Sequence, residues 1–109
     1  MGVSIDVNVT DNSEFFKNAL PDQIARALEA IGLTAEGYAK DECPVDTGRL
    51  RNSISHAVDD NSAYIGTNVE YAPHVELGTS RQKAQPYLRP AASEHSDEYK
   101  EIARAALTD

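Results

Sequence analysis

The chain opens on a regular alternation. Val3, Ile5, Val7 and Val9 are apolar, and Ser4, Asp6, Asn8 and Thr10 between them are polar. A period of two predicts a strand with one buried face. Asp11-Asn12-Ser13 reads as a turn, and residues 14–20 as a short helical approach. At Pro21 the period changes. Ile24, Ala27, Leu28, Ile31, Ala35 and Tyr38 fall at helical spacing and make one apolar stripe. Proline suits a first helical turn, where its missing N–H costs nothing, and Asp22 complements the positive end of the helix dipole. Gly32 and Gly37 weaken such a helix by up to about 1 kcal/mol each relative to alanine, and glycine there permits close packing. Pro44 predicts the end, because the residue before a proline avoids the helical region.

Leu50, Ile54 and Val58 share one parity, with Asn52 and His56 between them, which predicts a strand from about 50 to 58. Asp59-Asp60-Asn61-Ser62 reads as a hairpin loop, and residues 63–68 as the partner strand. Ala72–Leu77 reads as one short helical turn stopped by Gly78. Residues 79–89 have no apolar period and read as an extended arm with Pro86-Tyr87-Leu88 as its apolar anchor. Pro90 opens a last helix with the stripe Ala92, His95, Tyr99, Ile102, Ala103 and Ala106. The fold class that follows is α+β: a small, mainly antiparallel sheet, two long helices packed on it and an extended loop or arm over 78–90. The 109 residues suit a single domain spanning 1–109.

Charge divides the chain into regions. The net charge is −8, with −5 in residues 1–43, zero in 44–92 and −3 in 93–109. Phosphate affinity comes from clustered Lys and Arg, so this balance argues against tight nucleic-acid binding. The single cysteine, Cys43, excludes an intrachain disulfide and suits a reducing compartment. The first residues lack the basic and continuous apolar parts of a signal peptide, and no apolar run reaches the roughly 18 residues of a membrane helix.

Asp46-Thr47-Gly48 spells the triad that aspartic proteases place at their catalytic carboxylate. That chemistry needs two carboxylates sharing one proton, which a homodimer would supply. The context opposes it. Polar YAKDECPV precedes the triad where an apolar strand is required, and Arg49 and Arg51 after it favour an ionised Asp46. The competing reading is a structural turn made by Pro44, Asp46, Thr47 and Gly48, with Gly48 free to take a positive φ. His56, His74 and His95 have no metal-ligand spacing beyond the pair His74 and Glu76. Cys43 lies at a helix C-terminus, where the dipole raises a thiol pKa. Ser53 and Ser55 lack an evident partner base, and no phosphate-cradling glycine loop is present. No catalytic, metal or cofactor site is therefore expected.

The one charge feature with functional promise is the basic group Arg81, Lys83 and Arg89, together with Arg49 and Arg51. It is either a solvated loop face or a surface that meets acidic patches of a neighbouring copy. The chain supplies such patches in Asp22, Glu29 and Glu36 and in Glu94, Asp97, Glu98 and Glu101. Head-to-tail contacts of that kind are heterologous and can close into rings by rotation. DNA passing through such a ring without tight binding is a third possibility.

Two longer segments add a resemblance. One is Pro44-Val45-Asp46-Thr47-Gly48 with Leu50 and Ser53. The other is Tyr71-Ala72 and Val75-Glu76-Leu77-Gly78-Thr79, followed by Gln85-Pro86-Tyr87-Leu88-Arg89-Pro90-Ala91. Over about residues 20–107 the chain resembles a family of small tail-component proteins of long-tailed bacteriophages, typified by the tenth gene product of a lambdoid siphophage. The resemblance implies a non-enzymatic virion protein, a ring of six copies at the neck that joins or completes the tail. A stopper or tail-terminator ring of the same particle is the neighbouring alternative. The implied partners are connector or stopper proteins on one side and tail-tube or terminator proteins on the other, with no membrane. Assembly in the host bacterial cytoplasm is implied as well. Under this reading Arg81, Lys83, Gln85, Pro86, Tyr87, Leu88 and Arg89 form an interface, with Tyr87 and Leu88 filling a neighbour's pocket. The alternative is that Pro86-Tyr87-Leu88 packs on its own subunit. Gly78 joins Pro44, Asp46, Thr47 and Gly48 as a turn residue.

Overall fold

A computed structural model describes residues 3–7, 19–44, 48–60 and 62–107. Among these the elements run β1 (Val3–Asp6), α1 (Pro21–Glu42), α2 (Arg49–Ser53), β2 (Ser55–Val58), β3 (Ala63–Thr67), α3 (Ala72–Leu77), α4 (Leu88–Ser93) and α5 (Ser96–Leu107). The strands form one antiparallel sheet in the order β1-β3-β2. Ile5 stands opposite Ile65, and Ile65 opposite His56, so these residues share the face that α1 covers. The architecture is α+β, as the periodicities predict. Val7 extends β1 by one bond, donating its N–H to the Ala63 carbonyl at 2.8 Å. The predicted strand residues 8–10, the turn at 11–13 and most of the helical approach lie outside the described residues.

α1 is the centre of the molecule and contacts β2, β3, α4 and α5. Its 22 residues make a rod of roughly 33 Å. The Gln23 side chain accepts the Leu20 N–H at 2.9 Å, one half of a capping box, and Leu20 has no acceptor for the return bond. At the other end Cys43 is extended, as its position before Pro44 requires. The buried side of α1 is Ala27, Leu28, Ile31, Gly32, Ala35 and Ala39. Four of these six are alanine or glycine, so neighbouring elements come close to the helix axis. Leu28, Ile31 and Ile65 fill the centre, and burying each contributes about 2 kcal/mol.

Two elements differ from the sequence expectation. Residues 50–53, predicted as the start of a strand, are helical and belong to α2. Leu50 and Ile54 are four apart, a spacing that serves a helix turn as well as strand parity, and both are buried. Asn52 donates to the Gly48 carbonyl at 2.9 Å, and the Ser53 hydroxyl closes on the Leu50 carbonyl at 2.6 Å. The predicted last helix is two helices. α4 starts at Leu88, before Pro90, and ends as Glu94 donates to the Pro90 carbonyl; α5 then begins with Tyr99 donating to the His95 carbonyl. The break lets α4 lie against β1 and α1 while α5 lies along α1. Tyr99, fully buried, spans the break and donates its hydroxyl to the Ala91 carbonyl at 2.5 Å.

Tyr99→Phe keeps the packing and leaves the Ala91 carbonyl without that donor. The expected loss is about 1 kcal/mol, read as a lower urea midpoint with an unchanged slope.

Candidate functional site: the loop between α3 and α4

A helix begins with four N–H groups that have no partner inside it. At α4 these belong to Tyr87, Leu88, Arg89 and residue 90. Glu76, on α3 and only 5 % exposed, takes the first three. Its Oε1 accepts from Tyr87 at 3.1 Å and from Leu88 at 2.9 Å, and its Oε2 accepts from Arg89 at 3.1 Å. The fourth residue is Pro90, which has no N–H to satisfy. A carboxylate at a helix N-terminus also meets the positive end of the dipole. The spacing from Glu76 to Pro90 thus encodes a complete helix start, assembled across a loop.

The loop itself is folded back rather than reaching away. Gly78 ends α3 at φ +79°, and a Cβ there would lie 2.8 Å from the Ala84 nitrogen and 3.0 Å from the Gln82 carbonyl oxygen. Thr79 donates to the Gln82 carbonyl at 2.8 Å, and Gln85 donates to the Val75 carbonyl at 2.8 Å. Arg81, Lys83, Gln85, Pro86 and Arg89 are exposed on its outside. Among the described residues, none of these three cations has an ion-pair partner. Beneath the loop a groove of about 370 Å³ is floored by Pro44, Leu50, Tyr71 and Val75 and rimmed by Gln82 and Gln85. Leu77, at the end of α3, is 68 % exposed.

Tyr87 and Leu88 stand apart from the rest of the predicted interface. Both are 0 % exposed inside the chain's own core, so for these two the packing on their own subunit is what the structure shows. The Tyr87 hydroxyl points at the Ala72 carbonyl, 3.4 Å away, and burial pushes its pKa well above the usual phenol value. Of the predicted turn residues, Gly48 precedes α2 at φ +84° and Pro44 follows α1, while Asp46 and Thr47 lie outside the described residues.

The other chemical candidates are committed elsewhere. The Ser53 hydroxyl is bonded to the Leu50 carbonyl and to Thr67 Oγ1. Cys43 is buried, its thiol 3.4 Å from the Pro44 carbonyl, and burial raises its pKa despite Arg51. His74 is exposed where Glu76 is buried, so the pair does not converge. Among the described residues no group of three or more His, Cys, Asp or Glu could hold a metal ion, and no helix is long and apolar enough to cross a membrane. Sequence patterns named Glu76, within one of the two signature segments, and His56, as a histidine without metal-ligand spacing, but assigned Glu76 none of its three backbone donors and His56 neither of its two carboxylates. An acid two residues before a helix-stopping glycine, with a proline fourteen residues on, was the available sign for the first.

Glu76→Gln retains shape but turns an NH₂ group toward a backbone donor. It is expected to lose about 2–4 kcal/mol, measured by urea denaturation. Tyr87→Ala is expected to lose about 3–5 kcal/mol in the same measurement, through the cavity it leaves in the monomer.

No curated protein and no solved structure matches the chain. A family model does, over residues 8–78, and its description is "Bacteriophage HK97-gp10, putative tail-component". The match takes in the 44–53 segment and α3 with Glu76 and Gly78, and stops before the α4 start that Glu76 caps. Covering well over half of the 109 residues, it identifies the chain as a member of the HK97-gp10-like family of bacteriophage tail components.

Proposed function

We propose that this tail component works without turnover, as a ring at the head–tail interface that joins or completes the tail. The single observation that carries the reading is the loop held by Glu76. Its ends are tied to α3, its outer side carries Arg81, Lys83 and Arg89, and residues 78–90 contain no acid. Residues 94–101 of the same chain hold four acids against one lysine. A loop of one copy facing the acidic helix of the next is a heterologous contact, and such contacts close into rings when the rotation allows. Gln85 and Pro86 lie on the exposed side of this loop and complete the contact surface. Six copies, with connector or stopper proteins above and tail-tube or terminator proteins below, are the assembly that this reading expects. DNA passes through the centre and is not gripped, consistent with a net charge of −8.

The test uses Arg81→Glu combined with Lys83→Glu, substitutions at exposed positions that leave the core intact. Light scattering across concentration, alone and with purified connector and tube proteins, is expected to give rings or complexes for the wild type and none for the folded double variant. Complementation by that variant to full phage titre would overturn the role of the loop.

A further inference from the structure

His56 sits on β2 with its ring between two carboxylates of α1. Nδ1 lies 2.7 Å from Glu36 Oε1, and Nε2 lies 2.5 Å from Glu29 Oε1. A neutral imidazole has one N–H and cannot donate at both ends, whereas the imidazolium can. Glu29 and Glu36 are about two turns apart on α1, with Gly32 between them. Gly32 makes the space for the ring: a Cβ there would lie 2.9 Å from His56 Cδ2 and 3.3 Å from His56 Cβ. A helix interior gives up about 1 kcal/mol for that glycine, and the notch is the return.

The charges around the ring are few. The elements packed most extensively against β2 are α1 and β3. From α1 come Glu29, Glu36 and Lys40, the last bonded to Glu36 at 3.0 Å. β3 places Ile65 opposite His56 and brings no charged side chain. Ser55 and Ala57, the neighbours on β2, are uncharged. Burial opposes charge on the ring, but the bonds to Glu29 and Glu36 outweigh it and raise the His56 pKa above 6.5. Burial likewise opposes charge on Glu36, and His56 and Lys40 outweigh it and bring that carboxyl below 4.5.

The two acids are not equivalent. The Glu29 side chain is 58 % exposed and the Glu36 side chain 17 %. Glu36 keeps Lys40 when the ring changes state, whereas Glu29 can turn into water. We propose that Glu29, His56 and Glu36 form a proton-dependent latch that clamps the edge strand β2 onto α1, with Glu29 as the arm that releases when the ring is neutral. The raised value of His56 gives stability that is complete below pH 6.5 and lost as pH climbs through the folded value. The lowered value of Glu36 gives stability that is complete above pH 4.5 and lost as pH falls through the folded value. The latch is closed between these limits and opens on the alkaline side, on a strand whose only neighbour in the described sheet is β3.

The test follows the ring nitrogens of His56 by NMR and the urea midpoint of the whole chain, both as functions of pH. Expected are an imidazolium with both nitrogens protonated in mild acid, a titration above 6.5, and a wild-type midpoint that falls as the ring deprotonates. His56→Gln removes that fall. Glu29→Gln, at an exposed position, keeps the fold, lowers the ring's titration and flattens the same slope, so it carries the test if His56→Gln does not fold. A ring titrating at or below 6.5, or a pH slope identical in the wild type and Glu29→Gln, overturns the latch.

Discussion

One carboxylate fixes the distal half of this fold. Glu76 accepts from three consecutive backbone N–H groups, and the next residue is a proline. Burying an ionised acid costs several kcal/mol of desolvation, which only charge-assisted bonds and a favourable dipole can offset. Both are present here. The residues whose amides it holds include Tyr87 and Leu88, the N-cap and first residue of α4, whose side chains are fully buried. Polar capping and apolar packing are therefore one event: the amides can reach Glu76 only when the two side chains are in the core. The loop between is left with fixed ends, so its exposed arginines and lysine are presented with less entropy still to lose on meeting a partner.

α1 shows a second economy. Its buried side is rich in alanine and glycine, which weakens the intrinsic gain from burial per residue but lets a strand, a helix and a histidine ring approach it closely. Gly32 would be a poor choice on propensity alone. Its use becomes clear only beside His56, where a methyl group would collide with the ring. The Tyr38–His95 stack, with centroids 3.6 Å apart, is another close aromatic contact formed at the surface of this helix.

The sequence made the first strand, the long helix, the β2–β3 hairpin and the short α3 turn readable, because each has a clean period or a marked boundary: alternating Val and Ile, Pro21 and Pro44, Asp59, Gly78. It misled where a spacing served two structures. Leu50 and Ile54 fit a strand parity and a helix turn equally, and the bonds from Asn52 to the Gly48 carbonyl and from Ser53 to the Leu50 carbonyl decide for the helix. It also misled at Pro90, which looks like a first helical residue and is in fact the third of α4, with Leu88 starting the helix two residues earlier. The interaction that sets this start comes from Glu76, more than ten residues away, and no local pattern announces it. The same holds for Tyr87 and Leu88. An aromatic and a leucine in a stretch without period look like a protruding anchor, and their place in the core depends on a loop closure that leaves no period in the sequence.

Charge then limits how copies of such a chain can meet. At −8 they repel at long range, most strongly through the acidic helices. The loop over 78–90 carries three bases and no acid, so an approach that brings this loop to the acidic helix of another copy is favoured over helix-to-helix encounters. Repulsion elsewhere and attraction at one loop select orientation more than they add affinity. In the proposed ring the affinity must come from apolar surface, and the groove floored by Pro44, Leu50, Tyr71 and Val75, with Gln82 and Gln85 of the charged loop at its rim, offers one. A contact of this kind is directional, sensitive to salt, and dependent on the loop keeping its shape, which returns the argument to the carboxylate of Glu76.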